Sequence, residues 1–592
     1  MLRLSPRLIL LLPGILALLF YLPAIGHGYV WDDTYFLRDM PYLRDPALWW
    51  KTLSQPLFVS HNYFRPLPLL MFVAESQFHA AGVFHLVNIL LHVVNTTLVA
   101  LLARSLLPGD ARGRWRATLA ACVYALHPAL VENVCWISDR FDLLMTTFIL
   151  LALWIETRRF ALRDIVLGIC LLGALLSKET GIVLLALLPL WQCAQLTRAS
   201  DVVSIGALLH AWWRAHWRKY VAMLLALLVY FTLRFTAFGF LFRGDTQMHP
   251  GDAVQHLLLI GKTVGWYCSL LLFPFGRMAP VHPGSTPILL SDIGAWLGLL
   301  LIAAMLVFVW RRRNTPAAWL LLMLLVAIAP QSNLLPLTIG DNIVHDRYLI
   351  LPVACAALLL AHALRDGGEK PLRALGIWLM AAGVCVMLIV PHWRSEATLW
   401  TWAYEQHPES EIASGNYLAV LVNAQRNDEA LAMCDRLMAW PKYRGGVLEM
   451  RALLLWRQQR FDAAAAAVQA ALTLPSEDNT MGRLIRSDYF NLLAQIDMDR
   501  GRWADAERDL QASLQLTPYY ARSYYIQSIW YYRRGRTQEG DASMQTMRRY
   551  ALPEYAAAYA EAVAALRELS VNGKADGLNS EHRDTHVSAQ SS

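Results

Sequence analysis

Twelve apolar segments in the first 392 residues constrain the fold of this chain more than any other feature. They cover about residues 8–25, 84–107, 116–134, 138–155, 164–177, 180–196, 219–238, 255–273, 293–310, 316–332, 347–364 and 374–391. Segments of this length and polarity are typical of helices that cross a lipid bilayer. Together with a hydrophobic content of 56% over 592 residues, they exclude an ordinary soluble domain here. We therefore predict an all-α, polytopic membrane domain over residues 1–392.

Clusters of arginine and lysine between these segments predict the orientation of the spans, because basic loops favour the cytoplasmic side. Five clusters lie at residues 112–116, 158–163, 214–219, 311–313 and 365–373. All five share that side only if segment 255–273, which contains Lys262, is re-entrant or lies along the membrane surface. This leaves eleven spans, with a retained first helix and the amino terminus in the cytoplasm. The chain after His392 then lies on the outer side.

The predicted outer loops collect acidic and basic side chains on one face of the membrane. The largest loop, residues 26–83, begins with the tandem carboxylates Asp32 and Asp33. Two adjacent carboxylates at a membrane boundary suit a proton-abstracting base or a metal site, and a solvated helix end is the simpler alternative. The remaining outer loops contribute His127, Glu132, Asp139, Asp142, Lys178, Glu179, Asp346 and Arg347.

Several of these side chains have a structural interpretation beside the functional one. Lys178 and Glu179 can form an ion pair within their loop, and His127, which precedes a proline, can simply end a helix. Arg234, near the outer end of an apolar segment, can extend to the lipid headgroups or clamp a phosphate with its planar guanidinium.

One predicted span carries a polar face. His85, Asn88 and His92 follow the spacing i, i+3 and i+7, which places them on one side of a helix. Hydrogen bonds to neighbouring helices explain this face at least as well as ligand binding does.

The composition changes after about Glu396 to a soluble, alanine-rich helical pattern with an internal period. Turn elements begin at Asn427 and Phe461, 34 residues apart, and at Trp503 and Thr537, again 34 residues apart. This period is typical of tetratricopeptide repeats, whose stacked helix pairs form a concave surface for peptides or proteins. We predict an α-solenoid of about four repeats over residues 393–568 and a disordered tail over residues 569–592.

Composition and motifs also exclude several classes of protein. The eight cysteines form no CxxC pair, which argues against a disulfide framework and against structural zinc. The basic residues cluster between apolar segments and do not form a global basic patch, which argues against nucleic-acid binding. The absence of a glycine-rich phosphate loop argues against a soluble nucleotide-sugar site.

Taken in order, the motifs resemble those of a known family. They are Trp31-Asp32-Asp33, Phe84-His85-Leu86-Val87-Asn88-Ile89-Leu90-Leu91-His92, His127-Pro128 with Glu132, Asp139-Arg140-Phe141-Asp142-Leu143-Leu144, Leu176-Ser177-Lys178-Glu179, and Asp346-Arg347 with Pro352. This set is similar to the transmembrane and tetratricopeptide-repeat protein O-mannosyltransferases and their bacterial relatives. The resemblance implies a GT-C glycosyltransferase fold, an isoprenyl-phosphate-linked sugar donor and chemistry on the extracytoplasmic face. The short loops and the bacterial relatives favour a bacterial cytoplasmic membrane, with an endoplasmic reticulum membrane as the eukaryotic counterpart, and the orientation given above places the repeats on the periplasmic side.

Inverting transfer of a sugar, mannose in the family, needs a base for the acceptor hydroxyl and stabilisation of the departing phosphate. We assign Asp32 or Asp33 as the base, and Arg234, Arg347 and Lys178 to the donor phosphate. The residues expected to position the acceptor, or a divalent cation if one is needed, are Glu132, Asp142, Asp139, His127 and Glu179. The expected partners are a polyprenyl-phosphate-linked sugar, a protein or peptide acceptor at the repeats, and membrane lipids.

Two other classes of function compete with this hypothesis. The chain could be a membrane-anchored scaffold whose repeats recruit partners for envelope assembly, although an anchor needs only one span. It could also be a transporter of lipid-linked sugars, which predicts charged residues at the middle of the bilayer rather than at one face. The sequence shows no obvious inverted repeat with matched broken helices, which many transporters contain.

Overall fold

The computed structural model describes residues 6–38, 43, 45–54, 63–199, 205–241, 253–284, 288–334, 342–440, 444–476 and 480–572. The chain divides into two compact units. Unit 1 comprises residues 1–30, 64–68 and 80–407, and unit 2 comprises residues 31–63, 69–79 and 408–592. The domain boundary at residue 392 stays a prediction, since unit 1 continues to His407 and most of the predicted first loop belongs to unit 2.

Unit 1 is a bundle of helices. In chain order they are α1 (Pro6–Tyr21), α4 (Ala81–Ser105), α5 (Ala111–Leu126), α6 (Val131–Cys135), α7 (Arg140–Glu156), α8 (Arg163–Ser177), α9 (Leu184–Ala199), α10 (Ile205–Phe238), α11 (Ala253–Leu272), α12 (Ile293–Arg311), α13 (Pro316–Ile328), α14 (Ile350–Ala363), α15 (Glu369–Ile389) and α16 (Glu396–Gln406). Two short helices fall in the first loop, α2 (Lys51–Ser54) in unit 2 and α3 (Pro66–Ser76) across the division of the units.

Helices cover all twelve predicted apolar segments, and they differ in their capacity to cross a membrane. Seven stretches among the described residues are long and apolar enough to do so, and an eighth is added if α5 and α6, bent by 51° at Pro128, form one span. Helices α8 and α13 contain 15 and 13 residues and are shorter than the roughly 17 residues that a crossing needs, whereas α7 with 17 residues is at that limit. The multi-pass character is confirmed, whereas the count of eleven spans and the re-entrant or interfacial course of α11 stay predictions.

Helix α4 lies at the centre of unit 1, where it packs against α1, α5 and α7. Its polar face is fully buried and reaches carbonyl oxygens of neighbouring elements. The Nε2 atom of His92 lies 3.1 Å from the Ala125 oxygen, and Asn88 donates to the Trp136 oxygen at 3.0 Å. The structure therefore shows this face making the interhelical hydrogen bonds that the sequence offered as one explanation.

Helices α11 and α12 approach each other through glycines on both partners. Gly261 and Gly265 lie four residues apart on α11, and Gly294 and Gly298 have the same spacing on α12. A Cβ atom added at Gly298 would lie only 1.8 Å from the Gly261 oxygen, and one at Gly261 only 2.4 Å from the Ala295 oxygen. The close contact of these helices therefore requires glycine at both positions.

Two short strands join the loop before α12 to the loop after α13. Strand β1 (His282–Pro283) pairs antiparallel with β2 (Asn342–Val344), and His282 stands opposite Val344. Since α14 begins six residues after β2, this pairing fixes the turn that carries Asp346 and Arg347.

The carboxyl-terminal part of unit 2 consists of helices that pack consecutively. They are α17 (Glu411–Asn423), α18 (Asn427–Leu437), α19 (Arg444–Arg457), α20 (Phe461–Thr473), α21 (Thr480–Asp499), α22 (Trp503–Leu516), α23 (Ala521–Arg533), α24 (Thr537–Tyr550) and α25 (Pro553–Val571). Even-numbered helices α18 to α24 begin at the four residues that the period identified. The tetratricopeptide solenoid and the number of repeats stay predictions, and residues 573–592 of the predicted tail lie outside the described residues.

The period has a local cause in the backbone. The residue two positions before each even-numbered helix has a left-handed conformation, with φ of 57° at Gln425, 61° at Gln459, 73° at Gly501 and 71° at Gly535. Glycine adopts this conformation without strain, whereas glutamine does so at some cost. The same tight turn thus recurs at the connections that precede α18, α20, α22 and α24.

Candidate active site

Two buried ion pairs form the centre of the candidate site in unit 1. The Nζ atom of Lys178, at the end of α8, lies 2.5 Å from the Oδ2 atom of Asp142 on α7. The guanidinium of Arg347 lies 2.6 Å from the Oε1 atom of Glu132 on α6, and its backbone N–H donates to the other carboxylate oxygen at 3.2 Å. All four side chains are more than nine-tenths buried, so each charge depends on its partner.

The ring of Tyr348 connects the two ion pairs. The Lys178 ammonium lies 4.8 Å and the Arg347 guanidinium 5.0 Å from the centre of this ring. Arg347 also lies 5.1 Å from the ring of Trp136. Two cations therefore face one aromatic side chain, which is an arrangement that holds positive charge in a desolvated place.

A third carboxylate adjoins these pairs. Asn133 donates both to the Oδ2 atom of Asp139 and, at 2.9 Å, to the backbone oxygen of Arg347. The Asp139 carboxyl also lies within electrostatic range of the Asp142 carboxylate. The structure thus brings Glu132, Asp139, Asp142, Lys178 and Arg347 together, which are five of the ten residues that we assigned to the site from the sequence.

The Asp142 carboxylate also borders a pocket. Its Oδ1 atom is buried and has no hydrogen-bond partner among the described residues. The pocket is lined by Asp142, Met145, Thr180, Val183, Ala327, Pro330, Gln331, Tyr348, Ile350 and Leu351. A free carboxylate oxygen at the wall of a mostly apolar pocket can accept a hydrogen bond from a bound hydroxyl group.

Glu179 makes a second polar cluster beside the first. Its Oε1 atom accepts from the Phe64 backbone N–H at 2.9 Å, and its Oε2 atom pairs with the Arg65 guanidinium at 2.9 Å. Arg65 also lies 5.0 Å from the ring of Phe141, the residue before Asp142. Lys178 and Glu179 therefore each pair outside their own loop, and the interpretation as a local pair within the loop is wrong.

Arg234 lies near this second cluster. Its side chain is 2% exposed, its Nε atom donates to the Leu241 oxygen at 2.6 Å, and its guanidinium lies 5.6 Å from the Phe238 ring. The ring of Phe64 contacts Phe238 edge-on at 5.5 Å. Arg234 is thus directed into the protein, and it does not extend outward as the headgroup interpretation supposed.

His127 contacts backbone groups of neighbouring elements. Its Nδ1 atom accepts from the Ala129 N–H at 3.3 Å and so caps the turn Pro128–Leu130, and its Nε2 atom lies 3.4 Å from the Leu271 oxygen. These contacts match the structural interpretation of a histidine that ends a helix.

Asp32 and Asp33 belong to unit 2 and not to unit 1. They follow Trp31, whose φ of 56° turns the chain sharply at this point. Asp33 is fully buried, whereas Asp32 is partly exposed. The two carboxylates therefore differ in their access to solvent, which sequence alone did not distinguish.

We did not assign two histidines, His282 and His345, to the site from the sequence. The Nε2 atom of His282 lies 2.8 Å from the Oδ1 atom of Asp346, and the other oxygen of Asp346 accepts from the Ala279 N–H at 3.1 Å. The ring of His345 lies 5.1 Å from that of Tyr348, and neither of its nitrogens has a partner among the described residues. Only the pairing of β1 with β2 reveals His282, since 64 residues separate it from Asp346.

The described residues do not form a metal site. None of them belongs to a group of three or more histidine, cysteine, aspartate or glutamate side chains placed to hold a metal ion. Asp142 and Glu132 are each engaged by a cation, and Asp139 by Asn133. Because the arrangement does not fit a divalent cation, we derive no step of the reaction through one.

The chain is similar to several proteins that carry the name protein O-mannosyl-transferase, and no family model matches it. It is 35% identical over 190 residues to Protein O-mannosyl-transferase Tmtc1 of Drosophila melanogaster, which covers 29% of this chain and 21% of that protein. It is 26% identical over 369 residues to Protein O-mannosyl-transferase F38B6.6 of Caenorhabditis elegans, covering 58% of this chain and 50% of that protein. It is 26% identical over 484 residues to Protein O-mannosyl-transferase TMTC4 of Mus musculus, covering 67% and 62%. The chain thus spans between about a fifth and three fifths of the length of these relatives.

Proposed function

We propose that this protein is a membrane glycosyltransferase of the GT-C type and a bacterial relative of the protein O-mannosyltransferases. It moves a sugar, mannose in the first instance, from an isoprenyl-phosphate-linked donor to a hydroxyl group of a protein acceptor on the extracytoplasmic face. The resemblance to proteins named O-mannosyl-transferases supports the reaction class. The multi-pass bundle supports a donor whose lipid chain stays in the bilayer.

The observation that carries the proposal is the pair of buried cations around Tyr348. Lys178 and Arg347 lie 4.8 Å and 5.0 Å from this one ring. A phosphate that leaves the sugar gains negative charge, and preorganised cations in a dry site stabilise that charge strongly. Asp142 and Glu132 hold the two cations in place and keep them ionised when no phosphate is bound.

The proposed reaction is a single inverting displacement. The acceptor hydroxyl oxygen attacks the anomeric carbon while the bond from that carbon to the donor phosphate oxygen breaks. The hydroxyl proton passes to an aspartate carboxylate, and the electron pair of the broken bond leaves with the lipid phosphate. We assign the base to Asp32 in preference to Asp33, because Asp32 is partly exposed and Asp33 is fully buried.

The remaining residues have supporting parts in the proposal. Arg234 is a third candidate for the donor phosphate, and Asp139 and Glu179 position their neighbours. The free oxygen of Asp142 can orient the acceptor. The repeats recruit the acceptor or a partner protein, and the protein lies in a bacterial cytoplasmic membrane with the repeats on the periplasmic side. His127, which caps the turn Pro128–Leu130, stays a candidate for positioning the acceptor.

The test is transfer by the purified full chain in detergent from a polyprenyl-phosphate-linked mannose to a serine- and threonine-containing peptide. We expect D32N to lower the rate about a hundredfold or more, as the loss of a general base does. D366N, in a predicted cytoplasmic turn, is the matched control and keeps full activity. Parallel reactions with chelator test for a metal.

Two outcomes would contradict the proposal. If the wild type binds the peptide but transfers no sugar from any polyprenyl-phosphate-linked donor, the chain is a scaffold. If D32N and D33N both transfer sugar at the rate of D366N, the base lies elsewhere.

A further inference from the structure

A segment of the first loop docks on the last repeat helices within unit 2. Asp45 begins the turn Pro46–Leu48 and caps it, since its Oδ1 atom accepts from the Ala47 N–H at 3.0 Å. The side chain of Asp45 is only 7% exposed. A carboxylate in this position needs a counter-charge, because a buried unpaired charge is costly.

Arg549, near the end of α24, supplies that charge. Its Nε and one terminal nitrogen lie 2.9 Å and 2.8 Å from the Oδ2 atom of Asp45. The two residues are separated by 504 positions in the sequence. Each oxygen of Asp45 is thus committed, one to the local turn and the other to the repeat helix.

A second contact lies beside the first. The Nζ atom of Lys51, in α2, lies 4.1 Å above the centre of the Tyr519 ring, which is close enough for a cation–π interaction. The Tyr519 ring contacts Tyr550 edge-on at 5.6 Å, and Tyr550 follows Arg549 directly. The first-loop segment therefore contacts the helices at two points. It supplies the anion, Asp45, at one point and the cation, Lys51, at the other.

The docked segment is continuous with the proposed catalytic carboxylates. Asp45 follows Asp32 by 13 residues, and both belong to unit 2 together with the repeats. Between them, the oxygen of Leu43 accepts from the Ser76 hydroxyl at 3.0 Å, and Phe36 is fully buried. Fixing Asp45 removes conformational freedom from the chain that carries Asp32 and Asp33.

The geometry points to Arg549 as a positioning residue that holds the first-loop segment on α24 and thereby orders the loop that carries Asp32 and Asp33. This inference rests on the proposed function for its catalytic consequence, whereas the docking itself does not. Small displacements of reacting groups lower rates by up to about a hundredfold, so loss of this hold affects turnover strongly.

The experiment compares R549Q with R548Q, its exposed neighbour without a pair to Asp45, in the full chain in detergent. Hydrogen exchange of the amides in residues 45–54 reports docking directly. We expect R549Q to speed this exchange and to lower kcat about tenfold or more, with KM for the lipid-linked donor changed less than about twofold. R548Q behaves like the wild type in both measurements. D45N keeps an oxygen that can cap the turn but loses the charge, so the double variant D45N/R549Q exchanges no faster than R549Q alone, as expected when both substitutions remove the same pair.

Hydrogen exchange tests the docking, and sugar transfer tests the proposed function. The two measurements therefore distinguish the two proposals. If the wild type transfers no sugar, the proposed function fails, and the exchange data alone decide whether Arg549 holds the segment. If the wild type transfers sugar but R549Q matches R548Q in both exchange and kcat, the inference is overturned. Faster exchange with an unchanged kcat would show a structural contact without a positioning role and would also overturn it.

Discussion

At the scale of single residues, we expect disruption of the Lys178–Asp142 pair to cost the most free energy of unfolding. K178M leaves Asp142, which is 1% exposed, as a buried charge without a partner, and breaking such a pair costs about 3–5 kcal/mol. The double variant D142L/K178M removes both charges, so it recovers the folded yield, while neither variant transfers sugar. The measurement is the monodisperse fraction and the apparent Tm in detergent, together with the transfer rate.

The control for this comparison is K262M. The Lys262–Asp292 pair has a similar length of 2.7 Å, but its side chains are 26% and 23% exposed, so the remaining carboxylate is less desolvated than Asp142. We expect K262M to lower the apparent Tm less than K178M does. An equal loss in both single variants, or a double variant no better folded than K178M, would contradict the assignment of a desolvated pair.

A second residue-scale prediction concerns Glu449 on α19. Burial raises the pKa of its carboxyl to about 8, with Asp488 adding to the rise and Arg522 opposing it. The folded state therefore retains a proton that the unfolded state releases near pH 4.5. Stability of this region falls as the pH rises from about 4.5 to about 8, because only the unfolded state ionises in that window.

E449Q removes this pH dependence. At equal pH, we expect its α19 amides to be better protected from hydrogen exchange than those of the wild type, and the difference to grow between pH 5 and pH 8. E507Q, at an exposed position on α22, is the control and changes nothing. A difference between E449Q and the wild type that is constant with pH would show that the carboxyl is not the titrating group.

The sequence drew attention to ten charged or polar residues, five of which the structure brings together, but it did not indicate how they pair. Asp32, Asp142 and Lys178 stood out because charges beside apolar segments are expensive and seldom without a role. The pairing of Glu132 with Arg347 spans 215 residues, and that of Arg65 with Glu179 spans 114. No local spacing encodes such contacts, since they depend on how the helices pack. His282 was missed for the same reason.

At the scale of elements, the crossing of α11 and α12 depends on the absence of side chains at their contact. G298A places a Cβ atom 1.8 Å from the Gly261 oxygen, which only a separation of the helices can relieve. We expect this variant to lower the apparent Tm in detergent and to loosen the Lys262–Asp292 pair that joins the same two helices.

The matched control is G376A, in α15, where an added Cβ atom meets nothing within 4 Å. Alanine favours a helix over glycine by up to about 1 kcal/mol, so this variant is neutral or slightly more stable. If G298A and G376A have the same apparent Tm, the close glycine contact is not a feature of the folded protein.

The positions of the apolar helices were predictable from hydropathy. Which of these helices cross the membrane was not. All twelve apolar runs are helical, because a long apolar segment has few other ways to satisfy its backbone in a membrane. Whether a helix crosses depends on its length after caps and kinks are counted, and these are set by individual residues. Pro128 bends one candidate span by 51°, and α8 stops at Ser177 before the buried Lys178.

At the scale of the whole molecule, the side of the membrane on which the predicted repeats, helices α17 to α25, lie depends on one short helix. Three predicted spans separate the basic loop at residues 311–313 from His407. The stretches Asp346–Asp366 and Glu369–Arg394 are long and apolar enough to cross, whereas α13 has only 13 residues, about 20 Å of helix for a core of about 30 Å. If α13 crosses, the repeats lie opposite the basic loop; if it does not, they lie on the same side.

Reporter fusions after Arg312, Asp366 and Val571 decide between these arrangements. We expect a cytoplasmic signal at Arg312 and Asp366 and an outer signal at Val571, because the turn Ala329–Gln331 extends α13 to Pro316–Gln331 and brings it nearer to a crossing. A membrane that thins locally can accommodate such a helix at modest cost. An outer signal at Asp366 would show that α13 does not cross, and a cytoplasmic signal at Val571 would place the repeats and the carboxylates of unit 2 where no extracytoplasmic acceptor reaches them.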